Sequence, residues 1–212
     1  VTPPSSSLTR PRPPYEVRER LVRWGVEANE RLTGSTALVL LVLLALEGVT
    51  VLRVHSLLTL HVFVGMLLIP PVLVKMSSTM WRFVRYYIGS PEYRHKGPPP
   101  TGLRVLGPFV VVLTILLFAS GVALLFAPTS WRGHLLQLHQ ASFIAWFILM
   151  TVHVLAHLGD LVRVSTKDWA RRSRGLVAGS RVRRLTITLS LLVGVVLAFM
   201  TVSRVGPWMH GA

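Results

Sequence analysis

Apolar residues along this chain gather in five blocks, at about residues 36–54, 57–77, 105–127, 134–158 and 185–203, with the polar residues between them. Each block approaches the roughly 20 residues that a helix needs to cross the hydrocarbon core of a bilayer. The pattern predicts five membrane-spanning helices. Ahead of the first, Val17, Leu21, Trp24, Ala28 and Leu32 recur at helical spacing among Arg and Glu. That spacing predicts an amphipathic segment over 15–35, lying on the membrane surface. Residues 1–14 are rich in Pro and Ser and lack periodicity, so they are expected to be a disordered tail. No charged start leads directly into an apolar core and cleavage site, and no removable signal peptide is expected. Pro70 and Pro71 interrupt the second block and should kink it, because backbone hydrogen bonds are lost there. A basic, aromatic and Pro-rich connection follows that block, and its Trp81, Tyr86 and Tyr87 suit the headgroup level.

The fourth block is broken by histidines, His139, His153 and His157. At about 100° per residue, the steps between them bring all three rings to one stripe of the helix, and at about 1.5 Å rise His139 and His153 stand roughly 21 Å apart. Ionisable side chains at such depths usually face a bundle interior or a cofactor. Imidazole is an axial ligand of haem iron, and this spacing suits one haem per leaflet. The competing reading is that each ring merely hydrogen-bonds to a neighbouring backbone.

Composition narrows the class. The chain of 212 residues is 51% hydrophobic and 15% charged, with a mean hydropathy of +0.56, which is a membrane composition with no room for a separate soluble domain. It contains no cysteine. That excludes disulfides, iron–sulfur clusters, thiolate metal sites and thioether-linked haem, so any haem is held non-covalently. The net charge of +15 does not indicate nucleic acid, because the basic residues lie in the connections between apolar blocks. Twenty Lys and Arg fall in the N-terminal segment and the 75–104 and 159–184 connections; only Arg53, Arg132 and Arg204 fall on the other side. This bias places the N-terminus and both basic connections in the cytoplasm and the C-terminus outside. Anionic lipid headgroups would suit the basic connections.

On that topology His61, in the second block, lies a turn or so inside the outer face, at a height matching His139. His153 and His157 approach the cytoplasmic face. A weak internal repeat accompanies this. Glu47-Gly48-Val49 and Ser120-Gly121-Val122 each close a span and precede an outer turn and a His-bearing helix, and Lys75 falls fourteen positions after His61 as His153 does after His139. Lys75 is expected to snorkel to the cytoplasmic headgroups. Gly48, Gly65 and Gly121 could admit close helix packing or a flat porphyrin. Glu47 is the only acid within a span. It reads as a proton relay for quinone chemistry, or as a structural partner of Arg53 or His55. Arg53 and Arg132 could pair with haem propionates or act as interfacial anchors. His55, His95, His134 and His210 are not ligand candidates, and Asp160 and Asp168 lie outside the spans in no recognisable motif.

Three stretches carry a resemblance. Ala28-Asn29-Glu30-Arg31-Leu32 leads into TGSTALVLLVLLALEGV, LHVFVG surrounds His61, and His139 and His153 share one span. Over roughly residues 28–158 the chain resembles the transmembrane b-type cytochrome subunits of membrane-bound formate dehydrogenases and nickel–iron hydrogenases. The resemblance implies a four-helix bundle that holds b haems and passes electrons between a partner subunit and the quinone pool. It assigns His61 and His139 to an outer haem and His153 to an inner one. The family's remaining inner ligand is the histidine of a Glu-Arg-x-x-His start, where this chain has Gly34. Three outcomes stay open there: no inner haem, a haem on His153 or His157 with an open or substitute side, or a quinone beside those rings.

The expected molecule is an all-α integral membrane protein. Residues 36–158 form a four-helix haem-binding bundle, 159–184 a basic connection, and 185–212 a fifth helix with an outer tail. It would sit in the cytoplasmic membrane of a prokaryote and carry electrons through His61 and His139 between a quinone and an extracytoplasmic redox subunit. The rival readings are a self-contained quinone-linked oxidase or reductase of a small acceptor such as superoxide or ferric iron, and a haem-free membrane anchor or transport subunit.

Overall fold

The computed structural model describes residues 14–90, 93, 101–172 and 180–209. The tail over 1–13, His95, His210 and parts of both basic connections lie outside the described residues. The elements are α1 (Pro14–Leu52), α2 (Val54–Tyr87), α3 (Thr101–Phe126), α4 (Thr129–Arg172) and α5 (Ser180–Val202), then a 3-10 turn (Ser203–Val205) and the short α6 (Gly206–Met209). Among the described residues there is no strand. Gly25–Leu52, Val54–Tyr87, Arg104–Phe126, Thr129–His157 and Arg181–Val205 are each long and apolar enough to cross a membrane. They suggest a multi-pass membrane protein.

Short turns set the pairing. Arg53 alone separates α1 from α2, its non-helical backbone (φ −130°, ψ 38°) reversing the chain, and its carbonyl accepts from the Leu57 amide at 2.9 Å. Ala127 and Pro128 separate α3 from α4, where proline restricts the residue before it to non-helical backbone. Two antiparallel hairpins result, α1/α2 and α3/α4, with their turns at the same end. They touch one another sparingly, whereas each is closely packed within itself. α5 lies along α2 rather than beside α4, its neighbour in the chain.

The packing inverts the order of a water-soluble protein. Leucines, valines and phenylalanines such as Leu46, Phe109, Ile144 and Phe199 point outward, while Thr36, Thr50, Ser78, Thr114, Ser120, Ser142, Ser190 and Thr201 are buried between helices. Each of those eight hydroxyls donates to a carbonyl three or four residues back on its own helix, as Thr36 does to Leu32 at 2.8 Å. Small hydroxyl residues at helix contacts are what apolar surroundings favour, because backbones can approach without stranding a polar atom. The apolar core is correspondingly small: Leu40, Val64 and Leu68, flanked by Leu43, Leu44, Val72 and Phe118. Between α3 and α4 the buried Trp146 donates Nε1–H to Thr114 Oγ1 at 2.9 Å. Thr114→Val therefore strands an indole N–H and should destabilise the α3/α4 hairpin by about 1–3 kcal/mol. Thr114→Val combined with Trp146→Phe removes donor and acceptor together and should recover most of that loss, read from thermal unfolding in detergent.

Two features of these helices go beyond the sequence pattern. α1 runs unbroken from Pro14 to Leu52 and so joins the amphipathic segment to the first span; Thr33, Gly34, Ser35 and Thr36 are weak helix formers at the expected boundary, but none stops a helix as proline does. The irregular backbone in α2 falls at Leu57 (φ −117°, ψ 22°), just after the turn, while Pro70 and Pro71 sit inside the helix without non-helical angles. α4 also continues past its candidate span, to Arg172.

Candidate functional site

The hairpins come together at two histidines. His61 is the eighth residue of α2 and His139 the eleventh of α4. Since both helices start from turns at the same end, the rings arrive at the same height. Their centroids are 6.4 Å apart and the ring planes meet at 71°. Neither ring is free to rotate. His61 Nδ1–H donates to Glu47 Oε1 at 2.9 Å, and the Thr50 hydroxyl lies 3.2 Å from the same nitrogen. His139 Nδ1–H donates to the Leu117 carbonyl at 3.2 Å, with Ser120 Oγ at 3.1 Å.

The two arrangements are variants of one design. In each hairpin, residues near the end of the first helix hold Nδ1 of the histidine on the second. Glu47 and Ser120, the first residues of the two repeated triplets, do equivalent work. A carboxylate and a peptide carbonyl can only accept, so both neutral rings carry their proton on Nδ1 and keep the Nε2 lone pair. That is the tautomer a metal ligand needs, and an outer partner on the remote nitrogen is what orients ligating histidines in general.

The centroid separation is of the size that two imidazoles sharing one metal would have. Two imidazoles on opposite sides of a metal, each bound at about 2 Å, put their ring centres roughly 6 Å apart, close to the observed distance. Gly121 contributes on the α3 side, since a Cβ there would meet His139 Cε1 at 3.0 Å; Gly65 places an added Cβ 3.4 Å from Glu47 Oε1. Gly48, expected to matter in the same way, faces open space. Among the described residues no group of three or more His, Cys, Asp or Glu could hold a bare metal ion. A shallow apolar hollow of about 460 Å³, lined by Ser56, Leu57, Thr59, Leu60, Phe63 and Val202, includes neither ring.

The other expected residues are placed as follows. Glu47 has side-chain exposure of 15% and pairs with His61, not with Arg53 or His55. Arg53 is exposed at the turn. Arg132 stacks over Trp208, 5.0 Å from the ring centroid, and its Nε donates to the Ala127 carbonyl at 3.4 Å. Arg204 stacks likewise on Phe126 at 5.3 Å. His55 and His134 are exposed.

At the far end of the same stripe, His153 and His157 stack edge to face with centroids 4.8 Å apart. Ser142 and Trp146 are buried between them and His139 on that face. His153 Nδ1 is buried with no hydrogen-bond partner. Lys75 does not snorkel outward: its Nζ donates to the Thr33 carbonyl of α1 at 3.1 Å. Around it Thr33 Oγ1 donates to Ser78 Oγ at 3.0 Å and Asn29 Nδ2 to the Ser78 carbonyl at 3.2 Å. In this half the α1/α2 hairpin is closed by polar bonds, whereas in the turn-end half it presents a histidine.

No family model, curated protein or solved structure matches the chain.

Proposed function

We propose that the protein is a membrane b-type cytochrome that carries single electrons through a haem held by His61 and His139. The observation that carries this reading is the pair itself: two imidazoles from separate hairpins at 6.4 Å, each with Nδ1 tied back and Nε2 left as the donor atom. A b-type haem supplies reversible one-electron chemistry. The chain supplies everything else. Glu47, Thr50, Ser120 and the Leu117 carbonyl fix ring tautomer and direction, and the surrounding helix faces limit water. The resemblance to the b-type subunits of formate dehydrogenases and nickel–iron hydrogenases supports the same reading on the residues quoted above. So does the distribution of Lys and Arg, which favours a prokaryotic cytoplasmic membrane with the N-terminus inside. Electrons would pass between a quinone and a redox subunit docking beside the α3/α4 turn, where Trp131 is exposed.

One haem per chain is proposed. In the inner half Gly34 offers no ligand, and the Lys75 ammonium is engaged with Thr33. The test is the purified full-length chain, expressed with an adequate haem supply. Pyridine haemochrome assay should give one b-type haem per polypeptide, and His153→Ala should leave that value unchanged. A colourless preparation overturns the cytochrome reading in favour of a haem-free anchor or transport subunit. Two haems, one lost in His153→Ala, overturn the stoichiometry.

A further inference from the structure

The two proposed ligands are held by chemically different partners, and the difference has a consequence for the iron. His61 Nδ1–H points at a carboxylate, Glu47 Oε1, at 2.9 Å. His139 Nδ1–H points at a neutral peptide carbonyl, Leu117, at 3.2 Å. Glu47 is fixed in turn: the Thr50 hydroxyl lies 3.0 Å from Oε2 and 2.7 Å from the Glu47 carbonyl, and Thr50 is only 1% exposed. Gly65 lies against the same oxygen, where an added Cβ would come to 3.4 Å from Oε1. Among the described residues no Lys or Arg pairs with Glu47, and its ion-pair partner is the His61 ring. A carboxylate behind an imidazole draws the Nδ1 proton towards itself, and electron density rises at Nε2. A carbonyl does this far less.

Resting on the cytochrome reading, we propose that Glu47 is a positioning residue that tunes the haem through His61. It makes the His61 side of the iron strongly donating and the His139 side ordinary, and so stabilises the ferric over the ferrous state. The role is separate from a proton relay, because it needs only the standing charge and the hydrogen bond.

The experiment is a potentiometric titration of the haem bands in the full chain reconstituted in lipid nanodiscs, with low-spin ferric EPR on the same samples. Glu47→Gln keeps an acceptor oxygen beside Nδ1 and removes the charge. It should raise the reduced-to-oxidised ratio at fixed ambient potential tenfold or more, which for one electron is about 59 mV. The g-anisotropy should shift as well, which loss of a distant charge alone would not produce. Ser120→Ala removes a neutral contact from the opposite ring and should move both readouts far less than Glu47→Gln, because no charge is lost and the Leu117 carbonyl remains. If Glu47→Gln fails to retain haem, Thr50→Val is measured instead: it removes a hydroxyl donor from Oε2, leaves the carboxylate more basic towards the His61 Nδ1–H, and should move potential and EPR in the opposite direction by a smaller amount. A haem-loaded Glu47→Gln protein (or, in its absence, Thr50→Val) with wild-type potential and EPR overturns the proposal while leaving the cytochrome reading intact. Wild-type protein without haem overturns both.

Discussion

On the proposed cytochrome reading, His61→Ala and His139→Ala are each expected to abolish the haem absorbance of the purified protein, while differing in what they do to the polypeptide. Loss of either ring removes one of two donor nitrogens, and in neither hairpin does a second imidazole lie at that height. His55 and His134 stand exposed near the turns, and His153 belongs to the other end of α4. The structural costs are unequal because the partners are unequal. Without His61, the Glu47 carboxylate loses its ring N–H within an apolar span and retains only the Thr50 hydroxyl. An underpaired carboxylate in such surroundings costs several kcal/mol. Without His139, Ser120 still donates to the Leu117 carbonyl at 3.0 Å, and little is stranded. Both variants should therefore be colourless, but His61→Ala should unfold at distinctly lower temperature than His139→Ala in the same detergent. Restoring charge balance with Glu47→Gln in the His61→Ala background should recover most of the deficit. Red, haem-replete protein from either single variant would mean that iron is not held by this pair.

Much of this site was legible because it depends on register. The apolar blocks have boundaries set by length and charge, and the five candidate spans fall within a few residues of where hydropathy puts them, apart from the long extensions of α1 and α2. The match of His61 to His139 follows from counting turns inward from two short loops. The pairing of Glu47 with Ser120 could be seen as a repeat, though what the repeated residues do could not. A carboxylate on a helix can reach several neighbours within a turn or two, and only the packing of α1 on α2 selects His61 over Arg53 and His55. Lys75 misled for the same reason. A lysine near the end of a span has both a headgroup layer and a neighbouring helix within reach, and here the Thr33 carbonyl captures it.

The fifth helix was the least legible part, and Gly194 is the residue on which its placement is most exposed to test. Ser190, Gly194 and Ala198 recur every fourth position and are all buried, with Thr201 and Val205 extending the stripe. Stripes of small residues let membrane helices approach closely, yet the spacing does not say which helix is approached. The structure answers α2. A Cβ on Gly194 would lie 2.6 Å from the Leu67 carbonyl oxygen and 3.0 Å from Leu67 Cδ1, and beyond it Phe63 meets Phe199 edge to face at 5.2 Å. The obstructing atom is helix backbone, which cannot swing aside as a side chain can, so α5 must move off α2. Gly194→Ala should then cost about 1–3 kcal/mol as overpacking, against a gain of at most about 1 kcal/mol from helix propensity. Gly194→Leu should separate the two helices and lower the unfolding temperature further. The control is Gly48→Ala, where the added methyl meets nothing and propensity alone acts, so stability should hold or rise. Because Leu67 is six residues from His61 on α2 while the ring itself is held from α1, Gly194→Leu should still bind haem at first and release it faster on heating. A Gly194→Leu protein as stable as wild type, with α5 equally protected from proteolysis, would show that α5 does not lie against Leu67.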